Sequence, residues 1–468
     1  MNSENRSATF LLMKIFLLIF VPFILCLFDL NILMILTVEV FVVLCFVCLK
    51  DINSNIFFFC FLLSFFVFLM SGDIVSELFG EYYYIRFGKD AVNHCWITLL
   101  ICLGFLYLGY KCKRNKDVSV QIVTEKNLKI KYSAKVIYYI TYFVLIFNTI
   151  DKIIFVARNG YVAYYSSYNP WLPSIIAELG DFSPIALCVF LATFPTKKEC
   201  KMPLISFCIY AVMTILIGSR SGLIYNIVFI LGYMLFRNRH DKDSNIWISK
   251  HMVVFLCCLI PFLLVFLFVY GYIRLGQNVV YESFFGSIVD FFVNIGSSST
   301  VIKYGYLYDD AIENFKFYSL GDTLNYFRYG RLFNLFSLDN IPSTHSAEFA
   351  LEGHSFDAFI SYQFMQTQYL NGEGAGSSFV ATLFADFGYL GVAIGSFIYG
   401  VVFKSLSNLR ENKWLSNAIK LYFFFSLIAA PRSSYDGFIA GIVNINFWLL
   451  IGTIYFVSQN LRIKRHER

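Results

Sequence analysis

Three arginines stand where long apolar runs end: Arg220 in GSRSG, Arg274 in YGYIRLG and Arg432 in APRSSYDG. A guanidinium is a planar fork that holds a phosphate or carboxylate through paired hydrogen bonds and stays charged beside apolar surroundings, whereas lysine acts as a hydrated point charge. Glycine or serine lies beside each of the three, so an anionic group at headgroup level can approach all of them. Snorkelling to water or to lipid headgroups is the competing expectation for any one of them. Arg328 and Arg331, in TLNYFRYGRLFNLF, would share one face if that stretch is helical. An amphipathic helix lying at the interface explains that pair equally well.

Proton-accepting groups occur in the same stretches, and a general base has to sit within hydrogen-bond reach of the hydroxyl it activates. The candidates are His345, His354, Asp357 and Glu373, with Asp436 further on. Glu373 is favoured because glycines flank it in NGEGAG and it leads into an apolar run. His345 and His354, in THSAEFALEGHSFDAF, suit proton transfer near neutral pH by intrinsic pKa. Asp436 is placed to orient Arg432 through a local ion pair.

The elements that position these residues follow from composition. With 58% hydrophobic residues, 19% aromatics and a mean hydropathy of +0.64, the chain far exceeds what a soluble domain carries. Crossing hydrocarbon takes roughly 20 apolar residues as a helix, because unpaired backbone groups cannot face lipid. About twelve such runs are predicted, near 11–28, 31–49, 55–71, 94–110, 136–156, 176–194, 203–217, 222–236, 252–272, 379–402, 414–430 and 438–457. The first is read as a retained helix, since no small-residue cleavage site follows it. Strand-period alternation is absent, so the expected fold is an all-α polytopic membrane protein forming one membrane domain.

Lysine and arginine set the orientation, because cytoplasmic loops keep the excess of both. With the N-terminus inside, KCKRNK, TKKECK, RNRHDK and the tail RIKRHER all fall on one side, and both termini are cytoplasmic. On that side lysine outnumbers arginine sixteen to eight. Outside, seven arginines (Arg86, Arg158, Arg220, Arg274, Arg328, Arg331 and Arg432) face four lysines. That reversal points to geometry, beyond charge alone. The longest outside segment, residues 273–378, holds eleven acidic and five basic residues, so an anion there must be held by particular arginines.

Several classes lack support. The net charge of +6 is a topology signal and gives no reason to expect nucleic acid as a partner. No Walker loop, dinucleotide fingerprint or HExxH is present. Asp309 and Asp310 are adjacent, unlike a DxD pair, and no metal or other cofactor is expected. Cys45 and Cys48 have CxxC spacing but lie in an apolar run without nearby histidines, where packing explains them.

The ordered blocks IGSRSGLIYNIV, YIRLGQ, GEGAGSSFVATLFADFGYLGVAIGSFIYG and APRSSYDGF, within residues 200–457, resemble bacterial O-antigen polymerases of the Wzy type. The resemblance implies a GT-C-like glycosyltransferase of the bacterial inner membrane with a large periplasmic loop, 273–378, between the ninth and tenth runs. Such an enzyme, used in lipopolysaccharide biosynthesis, takes the growing glycan from undecaprenyl pyrophosphate and transfers it to a lipid-linked repeat unit on the periplasmic face. Its expected partners are that lipid-linked oligosaccharide, membrane lipids and a chain-length regulator of the polysaccharide co-polymerase type. Arg220, Arg274 and Arg432 are then the pyrophosphate-facing set, and guanidinium donors in place of a metal stabilise the leaving group. External aromatics, YVAYYSSYNPW at 161–171 above all, are candidates for packing on sugar rings. An O-antigen ligase and a lipid-linked oligosaccharide flippase are the alternatives. A flippase is expected to bury charge along a central path, yet only Lys14 and Lys420 fall within the predicted spans.

This topology predicts that a cysteine engineered at Ser343 reacts with an impermeant thiol reagent added outside, while one in the tail does not. The reverse labelling pattern overturns it.

Overall fold

A computed structural model describes residues 31–79, 87–112, 125–240, 246–274, 276, 278, 283–313, 316–330, 342–411 and 413–461. Among the described residues the chain is helical and contains no strand. The helices of the first half are α1 (Ile32–Lys50), α2 (Ile52–Phe79), α3 (Lys89–Cys112), α4 (Glu125–Asn159), the short α5 (Tyr161–Ser167), α6 (Ser174–Ala192), α7 (Lys197–Leu216), α8 (Arg220–His240) and α9 (Lys250–Arg274). Then come α10 (Phe284–Ile295), α11 (Ser298–Leu307), α12 (Gly321–Tyr329), α13 (Ala347–Glu352), α14 (Phe356–Phe364), α15 (Gln366–Leu370), α16 (Phe379–Leu406), α17 (Trp414–Leu427), α18 (Gly437–Val443) and α19 (Ile445–Asn460).

Eight of the described helices are long and apolar enough to cross a membrane, and two bent pairs, α10–α11 and α18–α19, bring the number to as many as ten. The predicted run 11–28 lies outside the described residues. Run 222–236 is α8, whose arginine ends lower its apolarity, and run 414–430 is α17, only 14 residues long before a 3-10 turn. Run 438–457 is the second bent pair, broken by 55°.

The core is aromatic. Phe58, Phe61 and Phe65 of α2 are buried against α16, with Phe61 and Phe403 ring centroids 4.6 Å apart and Phe379 stacked on Tyr399 at 4.9 Å, while Phe57 packs on Phe236 of α8 and Phe424 of α17. Helices α3 and α16 meet at backbone contact. A Cβ on Gly109 would come 2.0 Å from the Phe397 carbonyl oxygen, and one on Gly400 2.2 Å from that of Leu106. Small residues are what let membrane helices approach so closely when lipid offers no hydrophobic drive between them.

Helix α16 is itself broken. Phe387 and Gly388 leave helical geometry, with Gly388 at φ +59°, so residues 379–386 form a separate half-helix buried in the protein. Non-helical backbone at membrane depth is tolerated where protein covers it. Asp386, just before the break, accepts hydrogen bonds from the Tyr318 and Ser319 amides at 2.8 and 2.6 Å, fastening the break to the segment that opens α12.

The α10–α11 pair occupies sequence expected to be open loop. It packs into the bundle instead: Gly296 abuts Gly72, and Lys303, 2% exposed, forms an ion pair with Asp73 at 2.5 Å. A buried charge of this kind is retained when paired and is costly when its partner goes. The pair bends by 41°. Because Arg274 before it and Asp322 after it both belong to the site described below, the chain enters and returns on one side.

Removing one member of the ion pair should cost about 3–5 kcal/mol. Lys303→Met is expected to lower the unfolding temperature in detergent, and adding Asp73→Asn should recover part of the loss. Equal stability of the single and double variants would show that the pair is uncoupled.

Candidate functional site

The hairpin between α7 and α8 forms one wall. Gly218 has φ +98°, and a Cβ there would lie 2.3 Å from the Tyr161 ring, so backbone and space both require glycine. Its carbonyl accepts a 2.6 Å hydrogen bond from Arg274 Nη1, and the Arg274 guanidinium lies 4.4 Å from the centroid of the same tyrosine ring. In return Arg220, opening α8, crosses to the Leu267 carbonyl of α9 at 3.4 Å. It passes over Gly271, where a Cβ would come 2.7 Å from Nη1. Two adjacent helices thus exchange arginines.

Arg432 completes the group. It is exposed at the end of the 3-10 turn Ala430–Arg432, and Arg274 and Arg432 are the two cations whose fields act on Arg220. Among the described residues none of the three has a carboxylate at ion-pair distance. Buried Nε of Arg274 has no hydrogen-bond partner. Like charges gathered without counter-ions leave room in energy and in hydrogen-bonding capacity for an anion.

Beside Arg432 opens a polar cavity of about 190 Å³, lined among others by Asp322, His354, Asp357, Gly376, Ser377 and Ser434. Gly376, at φ +81°, brings the GEGAG loop back so that its Cα faces Arg432, and its amide donates to Asp357. The Ser361 hydroxyl also bonds Asp357, at 3.2 Å. Burial pushes the Asp357 carboxyl up, while those two hydrogen bonds, His345 and Arg432 pull it down, for a net rise. Asp322 lies open to the cavity yet is walled by protein. Desolvation raises its pKa, as do Asp436 and Asp357, against a hydrogen bond from Ser434. The half-helix of α16 starts here, with buried Ser377 Oγ unpartnered on the cavity wall. Its N-terminal amides add positive potential.

The structure therefore brings together Arg220, Arg274 and Arg432, and sets His354 on the cavity wall. His354 Nδ1 is 2.6 Å from the Lys316 carbonyl, which leaves Nε2 as the ring's other nitrogen. His345 is half-buried, 3.1 Å from the Tyr369 carbonyl through Nδ1. Glu373 is exposed and does not line the cavity. Asp436, fully buried, accepts the amides of Thr323 at 2.7 Å and Asp322 at 3.4 Å, capping α12 across more than a hundred residues. Among the described residues it forms no ion pair with Arg432. Arg328 stands apart, bonded to the Glu352 carbonyl at 2.6 Å and ion-paired with its carboxylate at 3.4 Å. Arg331 lies outside the described residues.

In the aromatic segment, Tyr161 serves Arg274. Asp151 holds the far end, accepting from Tyr168 Oη at 2.8 Å and the Trp171 amide at 2.9 Å. Trp171 itself is exposed. Asp322 is the site residue that sequence reasoning passed over. An acid in the first turn of a helix reads as a dipole-friendly ornament, and its cavity neighbours come from segments 32 to 112 residues away.

Fold and site define a multi-pass, all-α membrane protein whose helix ends gather cations beside a polar cavity. The chain belongs to the O-antigen polysaccharide polymerase Wzy family, whose model matches residues 5–464, essentially its whole length. Membership implies a polymerising glycosyltransferase that acts on lipid-linked oligosaccharides in membranes. No curated protein and no solved structure matches the chain.

Gly218→Ala should be destabilising, since a left-handed backbone at a non-glycine residue costs about 1–3 kcal/mol before the clash with Tyr161 is counted. A drop in unfolding temperature is expected, and Tyr161→Ala in the same chain should relieve part of it. An unchanged unfolding temperature for Gly218→Ala would contradict this account of the hairpin.

Proposed function

We propose that this chain is the O-antigen polymerase of a bacterial inner membrane, working on its periplasmic face. It transfers the growing glycan from undecaprenyl pyrophosphate to a lipid-linked repeat unit. The observation that carries the reading is the convergence of Arg220, Arg274 and Arg432, from three distant segments, without carboxylate partners among the described residues and beside a polar cavity. A substrate with a lipid tail, a pyrophosphate at headgroup level and an oligosaccharide beyond fits that order of surfaces.

In this reading the arginines hold the pyrophosphate and take up the charge that develops on it as the glycosidic bond to phosphate breaks. Donors already fixed in place act there without reorganising as the charge develops. The stabilisation is arginine-based and metal-independent, in a GT-C-like enzyme, because three guanidinium groups already converge where the leaving group would lie. Of the three proton acceptors favoured from sequence, His354 is the one that lines the cavity with Arg432. His345 acts on Asp357 through its charge, and Glu373 stays at the rim. Arg328 and Arg331 belong to the periphery, where they can meet lipid headgroups. A chain-length regulator of the polysaccharide co-polymerase type would dock from the periplasmic side.

The test is a deletion strain examined by lipopolysaccharide gel. One repeat unit on the lipid core is expected, whereas complete loss of O-antigen would mean a ligase or a flippase. Complementation with Arg220→Ala, Arg274→Ala or Arg432→Ala should leave long chains absent at near-normal protein abundance, and lysine replacements should rescue poorly. Polymerisation by the purified wild type should survive EDTA. Normal chain lengths in all three alanine variants would reduce the arginines to membrane anchors, and recovery on adding Mg²⁺ would reveal a metal requirement.

A further inference from the structure

Four carboxylates surround the cavity or its walls, and their hydrogen bonds divide them sharply. Asp436 is spent on capping α12, where it takes two amides and lies fully buried. Asp386 is spent on the Tyr318 and Ser319 amides. Asp357 is wrapped by the GEGAG loop, bonded to Ser361 and the Gly376 amide, with Gly374 packed so that a Cβ there would touch its Oδ1 at 3.4 Å. Asp322 lines the cavity with Asp357 and is the more exposed of the two, and among the described residues its carboxylate has one hydrogen-bond partner, the Ser434 hydroxyl. That hydroxyl also lies 3.0 Å from Asp436, so one proton serves two carboxyls.

The cavity holds a further sign of a polar ligand. Ser377, 9% exposed, presents a hydroxyl with no partner at the wall formed by the start of α16. A buried hydroxyl left unpaired costs free energy unless something polar, such as a sugar hydroxyl or a bound water, occupies the space. Arg432, packed against the neighbouring Gly376, supplies the arginine in this lining. The combination of one free carboxylate, one unpaired hydroxyl and one arginine in a small polar cavity is suited to a sugar presenting a nucleophilic hydroxyl.

We propose that the cavity receives the terminal sugar of the acceptor and that Asp322 is the catalytic base of the transfer, a deeper reading that rests on the polymerase function above. The acceptor hydroxyl oxygen forms a bond to the anomeric carbon of the donor glycan, and its proton passes to the Asp322 carboxylate. The bond from that carbon to the pyrophosphate oxygen breaks, and its electron pair leaves on the phosphate, beside Arg432, Arg220 and Arg274. Ser434 orients Asp322, Asp357 holds the GEGAG loop in register, and Asp436 fixes the helix that carries Asp322. Asp357, Arg432, His354 and Tyr318 are the charged or titratable groups that line the cavity with Asp322, and buried Asp436 lies beside it through the Ser434 hydroxyl and the Asp322 amide.

The experiment uses full-length protein reconstituted in phospholipid vesicles, with lipid-linked repeat units isolated from the deletion strain. Asp322→Asn should lower kcat about a hundredfold or more, with KM within about threefold. Asp322→Glu should recover at least tenfold over the asparagine variant. Because a base must be deprotonated, wild-type kcat should fall as pH drops through the raised pKa of Asp322. Removing the hydrogen bond that holds that pKa down, in Ser434→Ala, should move this acidic limb to higher pH. An asparagine variant within a few-fold of wild type, or a limb unmoved in Ser434→Ala, overturns the assignment; if Asp357→Asn alone abolishes turnover, the base is Asp357. Should Asp322→Asn fail to fold, the Glu variant and the Ser434→Ala profile still decide. Wild-type protein that makes no polymer from these units would overturn the polymerase reading itself.

Discussion

Three guanidinium groups held near one another without a carboxylate are the constraint around which the rest of this protein is arranged. Cations so placed repel, and each also needs partners for up to five N–H donors. Among the described residues the partners of Arg220 and Arg274 are neutral: the Gly218 and Leu267 carbonyls and the face of Tyr161. Carbonyl oxygens carry partial negative charge and steady a cation without neutralising it. The helix exchange between α8 and α9 therefore fixes the arginines in space while leaving their charge available. A carboxylate in the same place would hold them more firmly and compete with any phosphate.

That constraint reaches into the fold through glycine. Gly218 must turn with positive φ to offer its carbonyl, Gly271 must lack a side chain for Arg220 to pass, and Gly376 must turn back for the loop to lie on Arg432. Just after the loop, the half-helix 379–386 of α16 starts beside the cavity wall, and the break at Phe387–Gly388 ends it eight residues on. The buried Lys303–Asp73 pair then seats α10–α11 on α2, which returns the chain to the side where α12 can present Asp322.

Much of this was legible in the sequence and some was not, for physical reasons. Membrane spans announce themselves because hydrocarbon enforces about 20 apolar residues per crossing, and most predicted runs coincide with described helices. The arginine group was visible through type and place: guanidinium over ammonium, at helix ends, on one face. The α10–α11 pair was missed because Lys303, Asp290 and several serines interrupt its apolarity, and a paired buried lysine looks like a loop lysine until its aspartate is seen. The favoured proton acceptor, Glu373, drew attention through its glycines. Those glycines serve the path of the loop instead, packing on Asp357 and Arg432. Asp322 carried no local mark at all, since its exposure and its neighbours are set by pairings 32 to 112 positions away.

The division of labour among the acids follows from the same long-range pairings. A carboxylate that accepts two backbone amides is committed to holding the segments that carry them, and Asp436 and Asp386 are of that kind. One that is walled in by protein near other carboxylates holds a proton more readily, and Asp322 is of that kind. Both kinds are needed within a few residues of Arg432. The first fixes the elements, so that the second can stay open without collapsing onto the arginine. If Asp322 paired with Arg432 directly, the ion pair would satisfy both and lower the affinity of each for proton and phosphate. The Ser434 hydroxyl, which engages Asp322 without neutralising it, keeps acid and cation separate while both face the same cavity.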